Sequence, residues 1–176
     1  MKRVSFLLMA AVLFVLLLVF SSCSTPVVDL TLDANGGTFS DSGSVYVMNV
    51  EKESAITISQ TPVREGWAFA GWYLDKDCTQ SAQQLLASGI TQPVTLYAKW
   101  EQYTITFDSK GGSGVEPIVT DGKSMLNLPQ PEREGYQFDG WYFDDGEWQR
   151  PLTEETLLES PITSDATVYA KWLAVR

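Results

Sequence analysis

Two stretches of the chain alternate apolar and polar residues with a period of two. Val28, Leu30 and Leu32 alternate with Asp29, Thr31 and Asp33, and Tyr103, Ile105 and Phe107 alternate with Thr104, Thr106 and Asp108. That period predicts strands with one buried face. Each stretch runs into a Gly-Gly pair, Gly36-Gly37 or Gly111-Gly112, which supplies the permissive backbone of a turn. Further strands are expected at residues 45–50 and 117–120, at 69–74 and 138–143, and at 94–100 and 166–172, with an extended piece at 55–59. Residues 81–88 and 153–159 have the composition of a short helix or helical turn. The fold class is therefore α+β and strand-dominated.

The start of the chain has a different pattern. Lys2 and Arg3 precede an apolar run from 4 to 20 that is interrupted only by Ser5, and Ser21 and Ser22 then lead to Cys23. A transmembrane helix would have a similar composition, the run being close to the lower limit of about 17 apolar residues. The small residues before a cysteine, with no basic cluster after it, instead predict a removable leader. The stretch resembles a bacterial lipoprotein signal cleaved before a cysteine that receives lipid, although Phe20 stands where such signals usually carry Leu. The expected division is a signal peptide at 1–22 and a lipidated Cys23 with a short tether at 23–27. That tether reaches roughly 15 Å at about 3.3–3.6 Å per extended residue.

The remainder says nearly the same thing twice. The phrase from Pro62 to Asp75 returns from Pro131 to Asp144, both copies containing Arg-Glu-Gly and Phe-x-Gly-Trp-Tyr. Each copy closes on Tyr-Ala-Lys-Trp, at 97–100 and 169–172, and each is preceded by Asp-x-x-Gly-Gly, beginning at Asp33 or Asp108. Landmarks that recur in a fixed order mark a repeat protein. The first repeat is expected over 28–100 and the second over 103–176, leaving Glu101 and Gln102 between them. So short a connection predicts a semi-rigid pair rather than two freely tumbling beads. Between the Gly-Gly turn and Arg-Glu-Gly the first copy is six residues longer, and between Gly-Trp-Tyr and Tyr-Ala-Lys-Trp the second is three longer. Both segments should be loops.

The Gly-Gly turn, the Arg-Glu-Gly-x-x-Phe-x-Gly-Trp-Tyr phrase and the Tyr-Ala-Lys-Trp ending together resemble the Listeria–Bacteroides repeat, also called the internalin-type B-repeat. The resemblance covers almost everything after Cys23. It implies two tandem small β-grasp (ubiquitin-like) domains on an exported or surface protein of a bacterium. The family has no established catalytic residues, so the resemblance implies no active site.

Six Trp, seven Tyr and eight Phe invite a sugar-stacking interpretation. The matched positions argue for a structural one: Trp72 with Trp141, Phe69 with Phe138, Tyr97 with Tyr169 and Trp100 with Trp172. A disulfide-free domain of this size needs bulky residues, each burying about 150–250 Å². Gly71 and Gly140, inside strands, are expected to admit a ring or a neighbouring backbone. Arg64-Glu65 and Arg133-Glu134 suit turn and surface contacts. The unmatched aromatics are the candidates for ligand contact: Trp148, with Arg150 beside it in an acidic loop, and Tyr46 in the longer segment of the first copy. Trp148 could equally fold back over the sheet. Cys78 has no sequence counterpart in the second copy and suits a loop thiol.

Composition narrows the chemistry. The chain contains no His, which removes the commonest general base and the imidazole metal ligand. Ser113 does not fit Gly-x-Ser-x-Gly, because Val115 occupies the last position. Asp33 and Asn35, or Asp144, Asp145 and Glu147, lack the spacing of a twelve-residue calcium loop. No cofactor, metal or catalytic residue is expected. The net charge is −10, and −12 without Lys2 and Arg3, which disfavours nucleic acid and anionic lipid as partners. Membrane attachment would rest on the N-terminal lipid. The expected function is a cell-envelope lipoprotein at the outer membrane or cell surface, binding an unknown protein or glycan through its repeats. The alternative is a structural lipoprotein facing the periplasm.

Overall fold

The computed structural model describes residues 25–124 and 127–176. The expected leader and the expected acylation site, Cys23, lie outside the described residues. Among the described residues no helix is long and apolar enough to cross a membrane.

The first repeat comprises β1 (Val27–Asp33), β2 (Val45–Glu51), β3 (Ala68–Tyr73), α1 (Gln83–Ser88) and β4 (Val94–Glu101). The second comprises β5 (Tyr103–Asp108), β6 (Ile118–Thr120), β7 (Tyr136–Tyr142), α2 (Glu154–Glu159) and β8 (Ala166–Ala174). Each forms its own four-stranded sheet, in the orders β2-β1-β4-β3 and β6-β5-β8-β7. The central pairs, β1 with β4 and β5 with β8, are parallel, and all other pairings are antiparallel. A repeat whose first and last strands run parallel takes in the chain at one end and releases it at the other. That is why Gln102 alone suffices to join β4 to β5, and its side-chain amide bonds the Gly66 carbonyl at 2.8 Å.

The period of two places Leu30, Leu32, Leu96 and Ala98 on one face, all fully buried, beneath Trp72, Ala82, Ile90 and the half-buried Leu85 and Leu86. The second repeat buries Ile105, Phe107, Val168 and Ala170 beneath Trp141, Leu152, Leu157 and Ile162. The two cores solve one packing problem differently. Phe39 stacks on Trp72 at 6.2 Å in the first repeat, whereas Phe107, at the position of Leu32, packs against Trp141 at 4.7 Å in the second. Helix α2 is started by Thr153, whose hydroxyl accepts from the Thr156 amide, with Glu154 and Glu155 in its first turn. Helix α1 follows Ala82 and has no side-chain cap.

The piece at residues 55–59 joins no ladder; Ile56 donates to the Leu86 carbonyl at 2.8 Å, and Ile56 and Ile58 pack on the core. One sequence expectation needs correction: Gly71 and Gly140 do not admit a close neighbour. An added β-carbon at Gly71 would meet nothing within 4 Å, and at Gly140 only Cε2 of the Tyr142 ring at 3.5 Å, an ordinary van der Waals distance. Their φ angles are +109° and +133°, and the ladder register shifts between Phe69 and Trp72 and between Phe138 and Gly140. These glycines make β-bulges in β3 and β7.

Candidate binding surfaces

The most conserved feature between the repeats is a turn locked by an indole. Asp33 accepts from the Asn35 amide at 2.8 Å, and Asp108 from the Lys110 amide at 2.9 Å, which sets the left-handed residues Asn35 (φ 46°) and Lys110 (φ 49°). Gly36 and Gly111 also have positive φ, whereas Gly37 and Gly112 are required for space, because a β-carbon there would overlap the Trp100 or Trp172 ring. Trp100 donates to the Ala34 carbonyl at 2.9 Å and Trp172 to the Ser109 carbonyl at 2.8 Å. The arginine of the repeated phrase closes the unit: Arg64 lies over Trp67 at 4.1 Å and Arg133 over Tyr136 at 3.9 Å. Arg133 also donates to the Lys110 carbonyl at 3.1 Å. The repeated aromatic and arginine residues are thus engaged with their own domain.

The candidate ligand residues are not brought together. Tyr46 belongs to the first repeat, half-buried and 5.9 Å from Phe39. Trp148 belongs to the second, half-exposed and edge-on to Tyr142 at 5.5 Å, so it folds back over the sheet. Arg150 is exposed and its guanidinium lies over Phe143 at 5.3 Å. Trp148 instead shares a shallow hollow of about 280 Å³ with Lys110, Arg133, Tyr136, Asp145 and Trp172. Lys110, which no sequence motif singled out, forms an ion pair with Asp145 at 2.5 Å. The available signal was position 110 itself, Lys in one turn and Asn35 in the other.

Trp148 also has a structural counterpart that the sequences hide. Asp75 accepts from the amides of Thr79 and Gln80, and Asp144 from those of Gln149 and Arg150. The residue just before each pair is left-handed, Cys78 at φ 56° and Trp148 at φ 58°. The loop is one residue longer in the second repeat, which conceals the equivalence. Amide donation, first from Thr79, holds the Asp75 carboxyl below its ordinary range; donation first from Gln149 does the same for Asp144. The Cys78 thiol is 3.6 Å from both the Asn35 side-chain nitrogen Nδ2 and the Ala98 carbonyl, and burial pushes its pKa up.

The four outer strands differ as contact surfaces. Strands β3 and β7 are bulged, and β7 carries Asp139, paired with Lys171 at 2.7 Å. Strand β6 has three residues. Strand β2 is seven residues long, regular and without proline or lysine, and it exposes Val45 and Val47 at 42% and 57%. Its one charged residue is Glu51 at the C-terminal end, and along the rest of its length it lacks the bulges, prolines and lysines that protect edges against strand addition.

A profile of the Listeria-Bacteroides repeat domain matches residues 29–99 and again 103–171. The chain belongs to this family. Over 141 residues it is 39% identical to an Evansella cellulosilytica protein bearing the name "Putative Gly-rich membrane protein", a match covering 77% of this chain and 16% of that protein. Over 113 residues it is 29% identical to Internalin H of Listeria monocytogenes, covering 62% of this chain and 20% of the internalin. The chain therefore spans a fifth or less of the length of these relatives. What they share with it is the repeat, and a membrane or internalin name accompanies that repeat in each.

Proposed function

We propose that this chain is an exported bacterial envelope protein, lipid-anchored through Cys23, whose two repeats act as a binding and adhesion module at the outer membrane or cell surface. The observation that carries this reading is the division of labour within each repeat. The matched residues Arg64, Trp100, Arg133 and Trp172 hold the turns, whereas the β2 edge and the Lys110, Asp145 and Trp148 side of the hollow differ between copies. A shared scaffold with unshared surfaces suits recognition rather than catalysis, and no enzymatic role is assigned. The central parallel pair flanked by antiparallel strands supports a β-grasp domain, and entry and exit at opposite ends support a rod that projects from its anchor. The names of the relatives support an envelope setting. The partner is a protein or glycan rather than nucleic acid, which a net charge of −10 would repel.

Protease treatment of intact cells tests this reading, with a periplasmic protein as control and lysed cells to establish that the folded chain can be cleaved. Loss of the chain while the control survives is the expected result. Survival until the envelope is opened would replace adhesion by a structural role facing the periplasm. A Cys23→Ser variant that stays in the membrane fraction would remove the lipid anchor from the proposal.

A further inference from the structure

The hydrogen bonds at the two ends of β2 determine which of its backbone groups face outward. The Lys52 amide donates to Pro26 at 2.9 Å and the Ala34 amide to Ser44 at 2.8 Å. Both pairs continue the register in which Val27 opposes Glu51 and Asp33 opposes Val45. Hydrogen-bonded and non-bonded pairs alternate along an antiparallel ladder. Tyr46, Met48 and Val50 therefore bond to β1, and the N–H and C=O groups of Val45, Val47, Asn49 and Glu51 point away from the sheet. The side chains of those same four residues are exposed, while Tyr46, Met48 and Val50 face the core side.

Building on the binding reading above, we infer that β2 is a strand-addition site for an extended segment of a partner protein, taken antiparallel, with side chains in the order cation, small polar, β-branched, β-branched at alternate positions. The order follows from what each would oppose. Among the described residues Glu51 is bonded to the Thr25 hydroxyl at 3.0 Å and to no cation, so a Lys or Arg fits opposite it. Asn49, held by Asp29 at 2.6 Å, opposes the small polar residue, and the exposed Val47 and Val45 oppose the two β-branched ones. Main-chain bonds supply attachment and alternate side chains supply selectivity. Self-pairing of β2 about Met48 would set Glu51 against Val45, and a second copy in any register would show as protection that rises with chain concentration.

The test uses a soluble form covering residues 25–176 and a capped peptide Lys-Thr-Thr-Ser-Val-Thr-Val, with a control in which Glu replaces its Lys. Amide hydrogen exchange in the free chain is expected to be at least tenfold faster at Val47 and Asn49 than at Met48. Millimolar Lys peptide should slow Val47 and Asn49 at least tenfold, with weaker protection from the Glu peptide and the reverse preference in Glu51→Lys. Val47→Pro should abolish protection while leaving the β1 ladder intact; Val47→Lys, which keeps the amide, should weaken it if the proline variant does not fold. The inference is overturned if Val47 and Asn49 are already slow in dilute free chain, if they slow with chain concentration alone, or if both peptides protect equally or not at all. A periplasmic location would leave these results unchanged, so this failure and that of the surface reading are separable.

Discussion

Trp100 closes over Gly37: the indole fills the space in which a side chain on that glycine would begin, and its N–H bonds the carbonyl three residues earlier, at Ala34. Trp172 and Gly112 repeat the arrangement. Gly37→Ala and Gly112→Ala should each destabilise by about 1–3 kcal/mol, the usual range for overpacking. Gly114→Ala, where a β-carbon meets nothing within 4 Å, should stay within about 0.5 kcal/mol of the parent. Urea unfolding followed by tryptophan fluorescence distinguishes them, and equal effects at Gly112 and Gly114 would remove the steric account.

The polar half of the same contact can be separated from its packing. Trp172→Phe keeps a ring against Phe138, now 5.5 Å away, but deletes the donor to Ser109. Ser109 retains the Gly112 amide at 3.0 Å, so its carbonyl is not orphaned. A loss of about 1 kcal/mol is expected, against roughly 3 kcal/mol or more for Trp172→Ala, which empties the site. Comparable losses in the two variants would mean that the hydrogen bond, not the ring, holds the turn.

The strands were legible because their alternation is strict and because the chain repeats itself: Asp33 and Asp108, or Trp72 and Trp141, announce equivalent places. What escaped has physical reasons. Gly71 suggested a close neighbour because glycine serves both crowding and positive φ, and a sequence does not separate the two. Cys78 and Trp148 looked unrelated because their shared property is a left-handed backbone, not a side chain. The ion pair of Lys110 with Asp145 joins segments 35 residues apart, and only the fold sets them side by side. Tyr46 looked like a surface aromatic because it lies in the longer copy of a variable segment, yet alternation along β2 turns it toward Phe39.

Acid should act on the two Asp loops. The carboxyls of Asp75 and Asp144 lie below their ordinary value of 3.8, chiefly through amide donation from Thr79 and from Gln149. A depressed carboxyl adds stability above its unfolded value and loses it as pH falls through the folded one. Asp75→Asn and Asp144→Asn should therefore be less stable than the parent at pH 7, with the difference vanishing by about pH 2. Both groups are exposed, so the effects are small, and thermal melts across that range would read them. A difference that persists at pH 2 would assign the loss to packing instead.

Cys78 should be a poor nucleophile. Burial is the largest influence on its thiol and raises the pKa above the ordinary 9.0; the Asp75 and Asp77 carboxylates push the same way, against the Asn35 side chain and Lys99. Because nucleophilicity resides in the thiolate, alkylation at pH 7.5 should be slower than for a small free thiol and should accelerate as the pH passes 9. Thiolate absorbance should titrate above 9.0 in the parent and higher still in Asn35→Ala, which removes the opposing donor. Mere loosening of the loop would instead expose the thiol and lower the midpoint, so the sign of the Asn35→Ala shift decides between the two. A parent midpoint below 9.0 would mean that Asn35 and Lys99 outweigh burial, and Cys78 would then be a reactive thiol on the same loop that carries Trp148 in the second repeat.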